Sequence, residues 1–396
     1  MIPFKSFFHQ YKSIIILFFA IKITLLFFIL VGRPLIPFST SDYNINGYHY
    51  HEKGTQLENS LSAYDGQLYL ELAHSGYTGV PPADPGQRIY AFFPFFPFSM
   101  RVTSLFFGGN LFFAGIILNF LFSFLAFFYL YKLVLLDYKK EIALKSVYYF
   151  VIFPAAIFFM ALYSEALFFF LSVAAFYYCR KHAWWIAGIF GYLAALTRSQ
   201  GILLLLPFLI EYFLYIKNQH FSSFSTVIKK TKGNFMSFFL IPLGLITFLW
   251  YAKQTTGNFF LPIEMQQTWG RASPSLLNVW NTLYLNVTHF FSLPIHSFRS
   301  SQLDVAVGMI FIVSLFLMIK RLRWSYIVYA ALCVFFPLSS ASTMSLVRLV
   351  SISFPHYILF AQWGNTSKLS HTVITFLSIL FLSILTLRFI NWYWAG

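Results

Sequence analysis

Residues 13–31 read SIIILFFAIKITLLFFILV, an apolar run interrupted by a single charge, Lys22. About 20 such residues are what an α-helix needs to cross the hydrocarbon core of a bilayer. Lys5 and Lys12 precede the run, as they would in a secretory leader. The run is longer than a leader's apolar core, however, and no small-residue cleavage site follows it. It reads as a retained first transmembrane helix. Comparable stretches recur near 105–131, 146–162, 165–179, 183–197, 201–216, 235–251, 303–319, 324–340, 349–364 and 372–390, which makes about eleven spans. Composition agrees: of 396 residues, 59% are hydrophobic and only 10% charged, against roughly 25% charged in soluble domains. A chain this apolar cannot cover a water-facing surface, so its solvent is lipid. The expected fold is an all-α polytopic membrane protein, one transmembrane domain over residues 1–396.

The net charge of +15 does not point to nucleic acid, because the basic residues fall in short runs between the apolar stretches. KKTK at 229–232 and KRLR at 320–323 are the strongest. With the N-terminus in the cytoplasm, 16 of the 27 basic residues face inward. Two long segments, 33–104 and 252–302, then face outward, and both hold stretches with helical spacing, Tyr69 to Ala73 and Leu276 to Phe291. Six of the twelve acids (Asp42, Glu52, Glu58, Asp65, Glu71 and Asp84) lie in the first of these loops. Acids contribute little to topology, so the orientation rule does not explain the cluster; a solvated loop or a site does. Cys179 and Cys333 lie in apolar stretches and read as inert core thiols. No metal motif is present, although Asp42, Asp65 and Asp84 could together hold a divalent cation through oxygen ligands.

Five stretches carry candidate chemistry. In AYDGQLYLELAHSGY (63–77), Asp65 stands just before a helical pattern. It is either a general base for a hydroxyl nucleophile or only an N-cap. In YAFFPFFPF (90–98), Pro94 and Pro97 argue against regular helix, and the aromatics form either an interfacial belt or a wall for a lipid chain near Asp65. Glu165 in MALYSEALF and Arg198 in LTRSQG are charges at turns on the membrane boundary. Such residues are functional candidates, or else they pair with each other. In EMQQTWGRASP (264–274), Gln266, Trp269 and Arg271 suit contacts to a sugar. In STMSLVRLVSISFPHY (342–357), Arg348 suits a lipid phosphate or snorkels to headgroups, and His356 reads as a satisfied core histidine.

In this order, YDGQLYLELAHSGY, FFPFFP, YSEA, TRSQG, QQTWGR and SLVRLVSISFPHY resemble the motifs of the GPI mannosyltransferase II (PIG-V type) family, and the chain is compact like its prokaryotic members. Two positions depart: Tyr64 stands where Trp is common, and Leu349 follows Arg348 where Tyr is common. The resemblance implies a GT-C-like fold and transfer of a sugar, usually mannose, from a polyprenyl-phosphate donor on the extracytoplasmic face of a bacterial cytoplasmic membrane. It implies Asp65 as the base, Arg198 and Arg348 on the leaving phosphate, and Glu165 orienting a partner or the acceptor. The acceptor is a lipid, protein or glycan hydroxyl. A transporter or flippase of a lipid-linked substrate is the competing reading, and a non-catalytic scaffold subunit a third. Transport calls for ionisable groups inside the membrane, and Lys22 is the one that falls well inside a span on this map.

Overall fold

The computed structural model describes residues 4–45, 54–77, 86–219, 233–295 and 301–395. Glu52, Asp84 and the basic run 229–232 lie outside the described residues. Regular structure among the described residues is helical throughout. The longer helices are α1 (Phe4–Gly32), α2 (Asp65–Ser75), α3 (Phe95–Ser104), α4 (Leu111–Val134), α5 (Lys140–Val151), α6 (Glu165–Arg180), α7 (Trp184–Thr197), α8 (Leu205–Asn218), α9 (Leu240–Thr256), α10 (Leu276–Thr288), α11 (Gln302–Met318), α12 (Trp324–Leu338), α13 (Phe354–Thr366) and α14 (Lys368–Ile390). Among the described residues, five segments are long and apolar enough to cross a membrane: 11–35, 111–134, 199–218, 233–256 and 368–390. α7, α11 and α12 are apolar but shorter.

The stretch that opened the reading shows how the bundle forms. Along α1, Ile14, Phe18, Lys22, Leu25 and Ile29 are buried, while Ile16, Phe19, Ile23, Phe27 and Leu30 are exposed. The buried set recurs at three- and four-residue steps, the spacing of one helix face. The opposite face is just as apolar, as expected where the outer solvent is lipid. α6 sits at the centre, every residue from Glu165 to Phe176 being buried. α4 and α7 pack along it, and α9 packs on α7. Gly188 of α7 and Gly244 of α9 allow close backbone approach: a Cβ on Gly244 would run into the Tyr192 carbonyl oxygen of α7, and one on Gly188 into the carbonyl oxygen of Ser237, in the turn that leads into α9.

Three expectations are corrected. The span expected at 105–131 is a helix only from Leu111, because Gly108 and Gly109 hold positive φ and Asn110 caps the helix through Phe113 N–H (2.8 Å). Pro94 and Pro97 do not exclude helix: α3 starts at Phe95, with Pro94 as its N-cap and Pro97 in the first turn. N–H groups there have no intrahelical partner, so a proline removes nothing. Most consequential is 146–162. α5 ends at Val151, and 152–164 is an irregular, almost wholly buried segment. Backbone of this kind is tolerated at membrane depth only when protein satisfies its polar groups. Lys22 Nζ donates to Phe159 O (2.8 Å) and Ser123 Oγ (3.1 Å), and Ser123 Oγ donates to Phe159 O (2.7 Å). Asn119 Nδ2 donates to the carbonyls of Ala161 and Tyr163. Lys22 is thus committed to a backbone carbonyl and the Ser123 hydroxyl.

Asn119→Leu leaves the Tyr163 carbonyl, and one acceptor site on Ala161 O, buried in apolar surroundings. The expected result is a loss of about 2 kcal/mol of stability, read as a lower unfolding midpoint in detergent.

Candidate active site

At the N-terminal end of α6, four segments distant in sequence bring their charges together. Glu165, the first residue of α6, is fully buried. Its Oε1 accepts from Arg198 Nη1 at 2.6 Å and lies 3.5 Å from Arg348 Nε. Arg348 Nη1 in turn donates to Asp65 Oδ2 at 2.7 Å. The result is a buried chain, Asp65–Arg348–Glu165–Arg198. A carboxylate is favoured at a helix N-terminus, which accounts for Glu165 at the start of a helix that is otherwise apolar.

Local structure aims each side chain. Arg198 follows α7 in extended conformation (φ −154°) and donates through Nε to Gln200 Oε1 (3.2 Å) and through Nη1 to Ser164 Oγ (3.2 Å). Gly201 closes that turn against the end of α7; a Cβ there would overlap the backbone of Ala194 and Ala195. Arg348 belongs to the short helix Leu346–Val350, whose cap Ser345 holds φ 61°. Asp304 of α11 pins this helix, accepting from Val347 N–H at 3.0 Å while Ser301 Oγ donates to its other oxygen at 2.7 Å. The Arg348 guanidinium also lies over the rings of Tyr163 (5.2 Å) and Phe158 (5.4 Å).

Asp65 is the first residue of α2 and makes no capping bond. The N-cap alternative is therefore corrected: the cap position is Tyr64, with φ 54° and ψ −115°. A positive φ is rare for a bulky residue and costs about 1–3 kcal/mol, which the surroundings must supply.

Asp65, Arg198 and Arg348 line an open cavity of about 760 Å³, and Tyr69, Gln266, Trp269, Arg271, Ser345 and Trp394 complete much of its wall. Gln266 Nε2 donates to Ala91 O (3.0 Å), and Trp269 packs edge-on to Phe92 (ring centroids 5.8 Å). Arg271 is fixed by its neighbours, since Gly270 N–H donates to Gln267 O (2.9 Å) and Ala272 N–H to Ser340 O (2.8 Å). Its guanidinium makes no hydrogen bond or salt bridge to a described residue. Burial, with Arg348 and Arg198 nearby, pulls its pKa down to about 10 despite Asp65. Several buried polar atoms here lack hydrogen-bond partners: Glu165 Oε2, Arg348 Nε, Trp269 Nε1 and Ser345 Oγ. Such a set is costly unless a polar ligand completes it.

All seven sequence-selected residues thus converge on one place, with Glu165 behind the wall and the other six on it. Residues 16–287 match the family described as Mannosyltransferase (PIG-V). The chain belongs to the PIG-V mannosyltransferase family. Membership assigns it to the membrane glycosyltransferases. No curated protein matches the chain. Among solved structures it is similar to the archaeal oligosaccharyltransferase AglB from Archaeoglobus fulgidus in complex with an inhibitory peptide and a dolichol-phosphate (12% identity, TM-score 0.47, 99% of this chain and 57% of that one). It is also similar to the apo form of the Archaeoglobus fulgidus oligosaccharyltransferase (12%, TM-score 0.48, 100% and 57%). The chain spans little more than half the length of those proteins.

In this PIG-V family chain the expected Glu165–Arg198 ion pair is present, and it is one link of the larger network. His356 is a core histidine, stacked on Phe311 (4.0 Å) with Nδ1 against Ser353 Oγ (2.7 Å). Both cysteines are buried and free. Among the described residues no three His, Cys, Asp or Glu side chains group as metal ligands. Asp65 is engaged by Arg348, and Asp84, the third residue suggested for a cation with Asp42 and Asp65, lies outside the described residues. Sequence reading missed Tyr69, whose hydroxyl donates to Ser164 Oγ (2.9 Å), and also Ser345, Asp304 and Trp394. Only Asp304 carried a signal: an acid at the edge of an apolar run.

Proposed function

We propose that this chain transfers a sugar, mannose by its family, from a polyprenyl-phosphate-linked donor to an acceptor hydroxyl, with inversion, on the extracytoplasmic face. The domain has a GT-C-like arrangement of about eleven spans. One observation carries the reading: the charged cavity and an apolar groove of about 1,090 Å³ are lined by neighbouring stretches of the same chain segments. Three elements line both. On α2, Asp65 and Tyr69 face the cavity, and Leu72 and Gly76 the groove. Phe92 and Phe93 give way to Pro94 and Phe95, and Arg198 and Thr197 to Leu196 and Leu193. Phe98 and Tyr251, both exposed, line the groove together with Arg101. A polar head of sugar and phosphate with a long hydrocarbon tail matches that sequence of surfaces. Membrane lipids would occupy the groove between turnovers.

In the reaction, Asp65 takes the proton from the acceptor hydroxyl. The acceptor oxygen bonds to the sugar C1 as the C1–O bond to phosphate breaks, and the electron pair leaves with polyprenyl phosphate. Attack from the side opposite the phosphate inverts C1. Arg271, Arg198 and Arg348 neutralise the charge growing on the leaving group. The acceptor is a hydroxyl of a lipid, protein or glycan. The outward face rests on the inward excess of Lys and Arg.

The test is transfer of labelled mannose from polyprenyl-phosphate mannose by the purified protein in lipid nanodiscs. Transfer supports the reading; failure across a panel of lipid-linked sugars overturns it. Arg271→Gln gives a sharper result. Arg271 makes no salt bridge to a described residue, so the unfolding midpoint is expected to stay within about 0.5 kcal/mol of wild type. KM for the donor is expected to rise about 10- to 100-fold, the equivalent of losing about 1.4–2.7 kcal/mol of phosphate binding.

A further inference from the structure

The segment 391–395 lies outside the residues matched by the family, and its two tryptophans are nonetheless buried beside Asp65. Trp392 and Trp394 are 1% and 7% exposed, and Trp394 stands in the cavity wall. Both touch Tyr64, the residue whose strained backbone delivers Asp65 to the start of α2. The Tyr64 hydroxyl donates to Trp392 O at 2.6 Å. Its ring packs on Trp392 (5.4 Å, 34°) and meets Trp394 edge-on (5.1 Å, 88°). The segment is itself tied down. Trp392, at φ 61°, donates through Nε1 to Asn59 O (3.1 Å); Asn391 O accepts from Ser39 N–H (2.9 Å); and Arg388 Nε donates to Trp394 O (3.3 Å). A hydrogen bond and two ring contacts therefore converge on the one residue in the loop that would relax if released.

We propose that Trp392 and Trp394 are positioning residues: they hold Tyr64 at positive φ and so fix the Asp65 carboxylate against the acceptor hydroxyl. An unconstrained Tyr64 relaxes to negative φ, the first turn of α2 rotates, and Asp65 leaves its place beside Arg348. The phosphate-binding arginines come from other elements and keep their places, Arg348 losing Asp65 as a partner but retaining Glu165 at 3.5 Å. The proposal rests on the reading of Asp65 as the base, and its signature is a loss in turnover without a loss in donor binding.

The experiment compares Trp394→Ala, Trp394→Phe and Tyr64→Phe with wild type and Asp65→Asn, all purified in nanodiscs. It measures kcat, the donor KM, and binding of polyprenyl phosphate. Trp394→Ala is expected to lower kcat about 10- to 100-fold while KM and binding change less than about threefold. Trp394→Phe restores an edge-on ring and is expected to recover most of the rate. Tyr64→Phe loses one hydroxyl and no packing, so it is the variant to rely on where Trp394→Ala folds poorly; it too is expected to lower kcat selectively. In an Asp65→Asn background, Trp394→Ala is expected to add no further loss, because both changes act through one carboxylate. Wild-type kcat in Trp394→Ala and Tyr64→Phe, with Asp65→Asn inactive, overturns the positioning role and leaves the proposed function standing. Equal losses of kcat and donor binding, not recovered by Trp394→Phe, overturn it as well, because the segment then only holds the fold. Full activity in Asp65→Asn defeats the assignment of Asp65 as the base, and the positioning role with it, while failure of the wild type to transfer any lipid-linked sugar defeats the proposed function itself.

Discussion

Asp65→Asn is expected to lower kcat about 1,000-fold, within the range that general bases contribute, while leaving the protein folded. Asparagine matches aspartate in size, and its amide oxygen can still accept from Arg348 Nη1, which now lies 2.7 Å from Oδ2. The basicity is lost and the packing is kept. The substitution also removes a negative charge from Arg348, which becomes freer to grip phosphate. Polyprenyl phosphate should therefore inhibit the variant at least as strongly as it inhibits the wild type. A fall in turnover together with undiminished product binding separates a missing base from a damaged site, and single-turnover transfer with a binding isotherm reads both. Equal turnover in the two proteins would send the search to Glu165.

Arg348→Ala is expected to be the most disruptive single change in stability. Arg348 lies between two carboxylates, Asp65 at 2.7 Å and Glu165 at 3.5 Å. Glu165 is fully buried, and the Asp65 side chain is 13% exposed. Truncation strands both charges, although Glu165 keeps Arg198. Breaking a buried pair costs about 3–5 kcal/mol, more than the pair itself contributes, because the abandoned charge stays desolvated. The unfolding midpoint in detergent should fall accordingly, and transfer should be undetectable. Arg348→Lys keeps a charge but cannot span two carboxylates with one planar fork. It should regain part of the stability and little of the activity. A wild-type midpoint in Arg348→Ala would mean that water screens the network far better than its burial implies.

The parts legible in the sequence were those written in local chemistry. Residues 13–31 announce a span because lipid requires an unbroken apolar run. Glu165 and Arg198 stand out because a charge amid such residues needs a partner. The pairing of Asp65 with Arg348, 283 positions apart, has no local mark; only the order of motifs hinted that they meet. Residues 152–162 read as part of a span because buried irregular backbone is as apolar as helix. What tells them apart is where the carbonyls find donors, and those donors sit on α1 and α4. Trp394 escaped notice for a related reason: tryptophans near the end of an apolar helix are ordinary at a membrane interface.

α6 carries an ionic network at each end. Beyond Glu165 at its start, Arg180 at its last residue binds Asp137 (2.5 and 2.8 Å) and approaches Glu211 (3.7 Å), which Arg323 clasps through two bonds (3.0 and 2.9 Å). The helix is 16 residues long, so the two networks stand ~22 Å apart at 1.5 Å per residue, less than the ~30 Å of a typical hydrocarbon core. α6 is buried, and lipid meets longer helices such as α1 and α4 instead. Pinned by charge at both ends, α6 holds its two networks at a fixed separation. The place of Asp65 and its partners along the bundle is then a property of the polypeptide.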